Sequence, residues 1–591
     1  MHPTHNHYLT PFKQTAAQSL KTALATIAPQ SSTEHVENSL GVPPSLDMGQ
    51  LAFPCFPLAK ELKNAPPKIA ALIVDEIKKS LPALVKDVKV AGGYVNFFFN
   101  YNESTQSFSK SVLEKTYFKE LSHIKREQID IEYSQPNTHK ALHLGHMRNL
   151  FYGDSVSHLL ESVGYKVIRT TYPGDLGAHI ARVLWYLKQI PRETWPKGAD
   201  KAIWLGKQYA LSTQAMSSLG EVEKEKATKE IQEILRNLQD LKGDDYALYL
   251  ETREWSLAEM KRVYEWSNSH FHKWYYESEC DEASRKLVEE YLEKNIFQIN
   301  EGAVGVQLGT HKGEELGFAL LLKSDGNGLY LTKDLELIRR KFSDAHTAKA
   351  IYIVDSRQKL HFKQLFKVAE LMGFPQATRS EHLSYESVNN EKGEAFSSRD
   401  ARGLSLEELR DQIENIVTKD YLDRYKDEWP AEEIKKTSQK ITLAALKYGM
   451  LRIDPSSPIK FILSQWIALE GETGPYLQYV TTRCKSLLAK AGEIDFSKTN
   501  LHLTTSQEEE LYYALYRFNE IVEAAAHEYR PNHLANYLFD IAKLFNRFYK
   551  ECPVLNVEEI IKNSRLTLVK LTLEFLEEGF KLLNIPTIDR M

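Results

Sequence analysis

The sequence predicts an α/β multidomain chain, with a doubly wound parallel sheet set between a small N-terminal α+β domain and a C-terminal all-α domain. Three observations predict it. The stretch Gln128 to Gly177 runs strand, polar loop, helix, strand, the order of a βαβ unit. The continuous apolar run from Lys349 to Val354 has the character of a parallel strand buried on both faces. From about Pro455 to Met591 strand signals vanish and helical periodicity takes over. At 591 residues the chain exceeds what one core supports, so three or more domains are expected.

Composition narrows the class without pointing to a reaction. No apolar run approaches the length needed to cross a bilayer. The N-terminus MHPTHNHYLT lacks the charged and apolar regions of a secretory signal. Cys55, Cys280, Cys484 and Cys552 are scattered without a CxxC pair, which argues against a disulfide framework and against protein-bound zinc. These features fit a reducing, cytoplasmic setting. A formal net charge of -5 excludes a uniformly basic coat, although a local basic stripe would suffice to hold nucleic acid.

In chain order, residues 1–100 read as the small α+β domain. Within it, Lys68 to Lys79 is an amphipathic helix with Ile69, Leu72, Ile73 and Ile77 on one side, and Val88 to Phe99 is strand-like. Residues 101–127 are polar and charged, a linker or connecting helix. The sheet domain spans 128–454. Its first strand is Ile129 to Tyr133. Tyr152, Val156, Leu159, Leu160 and Val163 then mark a helix starting near Met147, Gly164 suits its end, and Tyr165 to Thr171 is the next strand. From about 193 to 298 the alternation stops, and a Lys-, Glu-, Trp- and Tyr-rich stretch reads as a helical insertion with solvated charged faces. Strand signals return at Ala303 to Leu308 and Ala319 to Leu322, followed by a turn at Asp325 to Gly328 and a helix carrying Asp334. The run at 349–354 ends in Asp355-Ser356-Arg357-Gln358, where loops at the carboxyl ends of parallel strands carry ligand contacts. Residues 455–591 form the helical domain, with Tyr, Phe and Arg interleaved.

The chemistry concentrates in His143-Leu144-Gly145-His146, at the start of a helix. Gly145 lets a nucleotide approach the backbone, and the helix N-terminus offers unpaired N–H groups and a partial positive charge. His143 and His146 can donate hydrogen bonds to phosphate oxygens as charge shifts in a transition state. A histidine at this place can equally serve only as a helix cap. Lys140, just upstream, adds a mobile positive charge, or is a plain surface lysine. No Walker GxxxxGK[ST], carboxylate pair, nucleophile elbow or Cys/His dyad stands out, which favours catalysis by positioning and electrostatics over covalent attack.

At this point the motifs carry a family likeness. EYSQPNTHKALHLGHMRN followed by YPGDLG resembles the signature region of class I aminoacyl-tRNA synthetases, and within them the arginyl-tRNA synthetase family. LYLTKDLEL at 329–337, YIVDSRQKLHFKQLF at 352–366, EGETGPYLQYVTTR at 470–483, FNRFYKECPVL at 545–555 and an end in Met591 follow in order. The resemblance thus covers nearly the whole chain. It implies a Rossmann-type parallel-sheet catalytic core, an N-terminal domain that binds the tRNA D-loop and a helical anticodon-binding domain. It further implies ATP-dependent ligation of L-arginine to tRNA(Arg) through an arginyl-adenylate, with AMP and pyrophosphate released. Mg2+ would accompany ATP, the protein would hold no metal of its own, and the chain would act as a monomer.

By the family pattern His143, His146, Lys140 and Arg399 are the catalytic set, and His143, Gly145, His146, Lys140 and Ser398 hold ATP. Glu132, Asn137, Tyr330, Asp334 and Gln358 match arginine-binding positions. The physical need is a buried carboxylate for the planar guanidinium, which pairs in fork geometry, although Asp334 could also be a simple N-cap. Asn96 and Phe99 match D-loop contacts, and Tyr476, Tyr479, Tyr549 and Met591 match the anticodon surface, where unpaired bases stack on aromatic rings; tyrosines in a helical bundle are usually core. Two departures stand out. The second signature loop, Phe396 to Gly403, lacks a lysine and has Ala401 where glycine is usual, and Leu176 replaces the usual tryptophan after Gly174-Asp175. The competing reading is therefore a tRNA-binding paralogue with an inactive catalytic site.

Overall fold

The structure is a computed structural model that describes residues 11–591 apart from 31–32, 34–35, 312, 325, 346, 397–404 and 498. Helix α1 (Pro11–Ile27), strand β1 (Leu51–Pro54), helix α2 (Pro66–Lys78) and strands β2 (Val85–Ala91) and β3 (Tyr94–Phe99) make the N-terminal unit. Its antiparallel sheet has the order β1-β3-β2. Helix α2 buries Ile69, Ala70, Ile73, Val74 and Ile77. Leu72, expected on that face, is 48% exposed because Ala70 and Val74 fill the seam instead. Helix α3 (Asn102–Leu113) occupies the stretch between the first two domains and is docked onto the C-terminal helices. Ser104 Oγ lies 2.8 Å from the Tyr512 hydroxyl, and the Phe108 ring packs among Tyr117, Tyr516 and Phe575.

The central unit follows: β4 (Gln128–Glu132), α4 (Leu144–Ser162), β5 (Lys166–Thr171) and α5 (Ala178–Leu187). The helical insertion contributes α6 (Lys201–Ser218), α7 (Glu221–Gln239) and α8 (Gly243–Trp266). Strand β6 (Lys273–Trp274) and helix α9 (Glu277–Glu293) come next. Both fall inside the stretch expected as insertion, yet β6 pairs with β5 at the edge of the main sheet. The strand signals near 303 and 319 form a separate antiparallel sheet of β7 (Gln298–Asn300), β8 (Ala303–Gln307) and β9 (Phe318–Leu322). Helix α10 (Tyr330–Ala345), β10 (Lys349–Asp355), α11 (Lys359–Leu371) and β11 (Ser380–Tyr385) complete the core. The five-stranded sheet has the order β11-β10-β4-β5-β6, parallel throughout, and its winding direction reverses between β10 and β4. A crevice at the carboxyl ends of strands is expected at such a reversal.

Helix α12 (Ala431–Leu451) packs against both α4 and α13 (Gly474–Ala491), so it joins the catalytic sheet to the C-terminal bundle. The bundle continues with α14 (Ser506–Tyr516), α15 (Phe518–His527), α16 (Pro531–Glu551) and α17 (Glu559–Leu582). The junction is polar and buried. Lys447 on α12 donates to the Ser267 and Asn584 carbonyls at 2.6 Å each. Asp154 on α4 accepts from the Tyr133 hydroxyl and Ser269 Oγ at 3.2 Å each, and also from Asn584 Nδ2.

Close contact between α4 and β4 depends on Gly153, where a Cβ would stand 2.2 Å from the Tyr133 ring. Since Tyr133 is fully buried, the ring has little room to yield. We expect Gly153→Ala to destabilise the sheet domain by about 1–3 kcal/mol, read as a lower thermal unfolding midpoint; an unchanged midpoint would show that the ring moves freely.

Candidate active site

At the reversal point the ends of β4 and β10 open onto a cavity of about 530 Å³. Glu132, Asn137, Tyr330, Asp334 and Gln358, the five expected amino-acid contacts, all line it, as does His146. They come from β4, the loop after it, the first two turns of α10 and the turn after β10, so only the fold brings them together. The loop after β4 is held by Asn149 on α4. Its Nδ2 donates to the Ile353 carbonyl at 2.8 Å and to the Tyr385 hydroxyl at 3.1 Å, while its Oδ1 accepts from the Ser134 N–H. Gly174 lets Asn137 sit in place, because a Cβ there would lie 2.1 Å from Asn137 Oδ1.

The signature histidines do cap α4, and the capping leaves them suited to a second role. His143 is the N-cap: its Nδ1 accepts from the Gly145 N–H at 3.1 Å, and its own N–H donates to His146 Nδ1 at 3.1 Å. The helix consequently starts at Leu144, three residues before the periodicity suggested. With both Nδ1 atoms accepting, the proton of each neutral ring sits on Nε2 as a donor. Burial, with Lys140 close by, depresses His143 to about 4 and holds His146 well below the ordinary imidazole value. The pair therefore offers neutral N–H donors rather than cations. Lys140 supplies the charge, with its Nζ 5.1 Å from the centroid of the Tyr209 ring on α6. Ser398 and Arg399, with the loop from 397 to 403, lie outside the described residues. Leu176 is buried in the apolar cluster of α5 and the insertion helices.

The acidic lining is richer than the sequence suggested. Asp334 Oδ2 lies 2.6 Å from His361 Nε2 on α11. Glu132 is buried, with Oε2 2.8 Å from Lys341 Nζ and Oε1 accepting from Gln135 Nε2 at 3.1 Å. Lys341 is fully buried and also lies 2.7 Å from Asp130 Oδ1. Burial opposes charge on Lys341, but the two carboxylates outweigh it and raise its pKa; burial likewise pushes Glu132 up, with Lys341 opposing. Glu277, at the start of α9, is a further buried carboxylate on the cavity wall. Burial raises it to about 7, against the partial pull of Lys333, whose Nζ is 3.5 Å away. Sequence reasoning missed Glu277, His361 and Lys341. Lys341 had a readable signal, being two helical turns after Asp334 on one face of a helix. Glu277 had none, because it lies inside the stretch taken as insertion.

Away from the cavity, the two expected D-loop contacts part company. Asn96 and Phe99 are three apart on a strand and so face opposite sides. The Phe99 ring is stacked on Phe12 at 4.5 Å in the core and is 3% exposed, which leaves it no surface for a base. Asn96 is also buried, at 2% exposure, but on the other face: it lines a cavity of about 410 Å³ with Met48, Pro54 and Tyr94, the last 42% exposed, and its Oδ1 has no hydrogen-bond partner. On the C-terminal bundle the Arg483 guanidinium lies 4.9 Å from both the Tyr479 and Tyr549 rings. It donates to Asn546 Oδ1 at 2.6 Å, and Asn546 Nδ2 donates to the Tyr476 hydroxyl at 2.7 Å. Three of the expected aromatics thus belong to one surface network, with Tyr549 40% exposed. Met591 is half-buried against the core.

Family models match three successive parts of the chain. The model described as Arginyl tRNA synthetase N terminal domain matches residues 14–99. That for tRNA synthetases class I (R), catalytic domain, matches 109–456, and the DALR anticodon binding domain matches 477–591. An arginine–tRNA ligase of Bdellovibrio bacteriovorus is 39% identical over 585 residues, covering 98% of both chains. One from Clostridioides difficile is 31% identical over 568 residues, covering 95% of this chain and 97% of that protein. Among solved structures, the Thermus thermophilus arginyl-tRNA synthetase superposes with a TM-score of 0.79 at 24% identity, over 98% of this chain and 100% of that one. This last likeness bears on the fold.

The buried triad makes a measurable claim. In Lys341→Met, Glu132 would lose its counter-charge and its pKa would climb further, so it would be anionic only at higher pH. Affinity for a cationic substrate should fall by about tenfold at neutral pH, equivalent to about 1.4 kcal/mol, and recover as pH rises. Steady-state KM across pH, as a ratio to wild type, reads this; a pH-independent ratio would reduce Lys341 to a packing residue.

Proposed function

The chain belongs to the arginyl-tRNA synthetase family of class I aminoacyl-tRNA synthetases, and from its pocket we propose how its residues divide the work of arginyl-tRNA formation. The reaction is the ATP-dependent ligation of L-arginine to tRNA through an arginyl-adenylate. The arginine carboxylate attacks the α-phosphorus in line, pyrophosphate leaves, and a hydroxyl of the 3′-terminal adenosine then attacks the adenylate carbonyl, releasing AMP. No covalent enzyme intermediate is involved, so the protein's contribution is alignment and charge stabilisation.

The observation that carries the residue assignment is the acidic lining beside the capped histidines. Asp334 receives the guanidinium as a fork in place of its His361 contact, and Glu277 faces the same space. Both Glu132 oxygens are already engaged, so it contributes field more than direct bonds. Asn137 and Gln358 orient the amino and carboxylate groups. The Nε2–H donors of His143 and His146 hold phosphate oxygens, and Lys140 follows the leaving pyrophosphate. Mg2+ arrives with ATP; among the described residues no group of three or more His, Cys, Asp or Glu is placed to hold an ion. The tyrosine and Arg483 surface takes the anticodon loop, and the cavity beside Asn96 takes a D-loop base. Tyr94 would serve there in place of the buried Phe99. Among the described residues no helix is long and apolar enough to cross a membrane. A cytoplasmic monomer acting on tRNA(Arg) completes the proposal.

ATP–pyrophosphate exchange with each amino acid, with and without tRNA, tests it. Exchange restricted to arginine and dependent on tRNA is expected. Exchange with another amino acid would refute the specificity, and none from folded protein would restore the inactive paralogue. Asp334→Ala should raise the arginine KM by on the order of a hundredfold, the cost of leaving a buried charge unpaired, with the ATP KM little changed.

A further inference from the structure

Outside the pocket lining, two cations share one tyrosine ring, and His179 lies one helical turn before one of them. Lys140 Nζ stands 5.1 Å from the centroid of the Tyr209 ring, and Arg182 Cζ stands 5.2 Å from it. His179 and Arg182 lie in the first two turns of α5, a helix whose N-terminus has no side-chain cap. His179 Nε2 and Arg182 Nε are buried atoms without a hydrogen-bond partner. Among the described residues, no carboxylate oxygen lies within 4.0 Å of a charged nitrogen of Lys140, His179 or Arg182. Neighbouring Lys333, by contrast, is paired with Glu277 at 3.5 Å and Asp281 at 3.9 Å.

Cation–π contact with Tyr209 positions the two cations but does not neutralise them. Uncompensated positive charge beside unpartnered ring and guanidinium nitrogens, on a chain whose formal net charge is -5, is suited to an oxyanion with several acceptor oxygens. The cluster is also firmly mounted. Helix α6 packs so closely on the loop of Lys140 that a Cβ at Gly206 would lie 2.7 Å from the Ala141 Cβ. Tyr209 lies three residues further along the same helix and is buried.

Building on the proposed reaction, we propose that Lys140, His179 and Arg182 form a phosphate-binding site for the 3′ end of the tRNA, holding the phosphodiester that precedes its terminal adenosine. Two phosphate sources take part in that reaction, ATP and the tRNA. The placement favours the tRNA. Arg182 packs on the Tyr209 ring of insertion helix α6, and the pocket lining includes His146 and Arg357 but none of Lys140, His179 and Arg182. A terminal adenosine whose hydroxyl reaches the pocket leaves its own phosphate outside the pocket lining, to which none of the three cluster residues belongs. Lys140 then lies between the two phosphate groups.

The test uses the full-length chain and the variants Arg182→Gln, Arg182→Lys and His179→Asn. Arginylation and equilibrium tRNA binding are measured from low to physiological salt, and ATP–pyrophosphate exchange against ATP concentration. Arg182→Gln should weaken tRNA binding and raise the tRNA KM about five- to tenfold. It should also reduce the slope of log K against log salt by about 0.7, as expected for one single-strand phosphate contact. Arg182→Lys should keep most of the slope, and His179→Asn should raise the tRNA KM by about two- to threefold. A rise confined to the ATP KM would overturn the tRNA assignment and place ATP at this cluster. Equal tRNA affinity and salt slope in wild type and Arg182→Gln would overturn the site. Absent arginylation by the wild type would strike the reaction instead, and the binding comparison would still decide the site.

Discussion

The buried contact of Lys341 with Asp130 and Glu132 is the constraint on which the pocket rests. Three charges are removed from water at the centre of the parallel sheet. Such burial costs more than a lone ion pair returns unless the geometry is good and the charges balance closely. Here the lysine comes from α10 and both carboxylates from β4, so the contact fixes the register of that helix against the central strand. Because Tyr330 and Asp334 lie on the same helix, their positions in the pocket follow from where Lys341 is anchored. The Tyr352 ring, 4.3 Å from Lys341 Nζ, closes the network from β10.

The same economy of charge explains the rest of the lining. Asp334 is held by His361 and Glu277 only partly by Lys333, so these two carboxylates remain open to exchange their partner for a guanidinium. A planar fork can satisfy two carboxylates where an ammonium would satisfy them poorly, and an apolar side chain would leave both unpaired. Selectivity thus comes from what is left unsatisfied. The histidines follow an opposite logic: capping consumes one nitrogen of each, burial keeps the rings neutral, and donors are set before any phosphate arrives.

Remote parts of the chain are tied to this centre through helix α4. Its N-terminus carries the capped histidines, and its middle carries Asn149, which orders the pocket loop. Its Arg148 donates to the carbonyls of Ser387, Asp454, Pro455 and Ser457, the segments that lead towards the C-terminal bundle. Asp154, further along, meets Asn584 after the last helix. The bundle that carries the tyrosine surface is therefore in direct contact with the helix that holds the histidines.

Much of this was legible in the sequence by itself. Local periodicity determined the βαβ unit, the buried strand at 349–354 and the all-α end, because each pattern is written within a dozen residues. Resemblance to the family's motifs pointed to Glu132, Asn137, Tyr330, Asp334 and Gln358, and all five line the cavity. The tertiary structure alone decided what depends on residues distant in sequence. It placed Glu277 on the cavity wall from within an apparent insertion and put Asp130 and Glu132, the polar residues of the first sheet strand, around a buried lysine. It covered both Phe99 and Asn96, the first in the core and the second on the wall of a cavity, since a strand alternates faces and only packing decides what covers each. And it brought Lys140 and Arg182 onto the Tyr209 ring, with His179 one helical turn before Arg182, since burial and pairing are properties of neighbours that a single chain position does not carry.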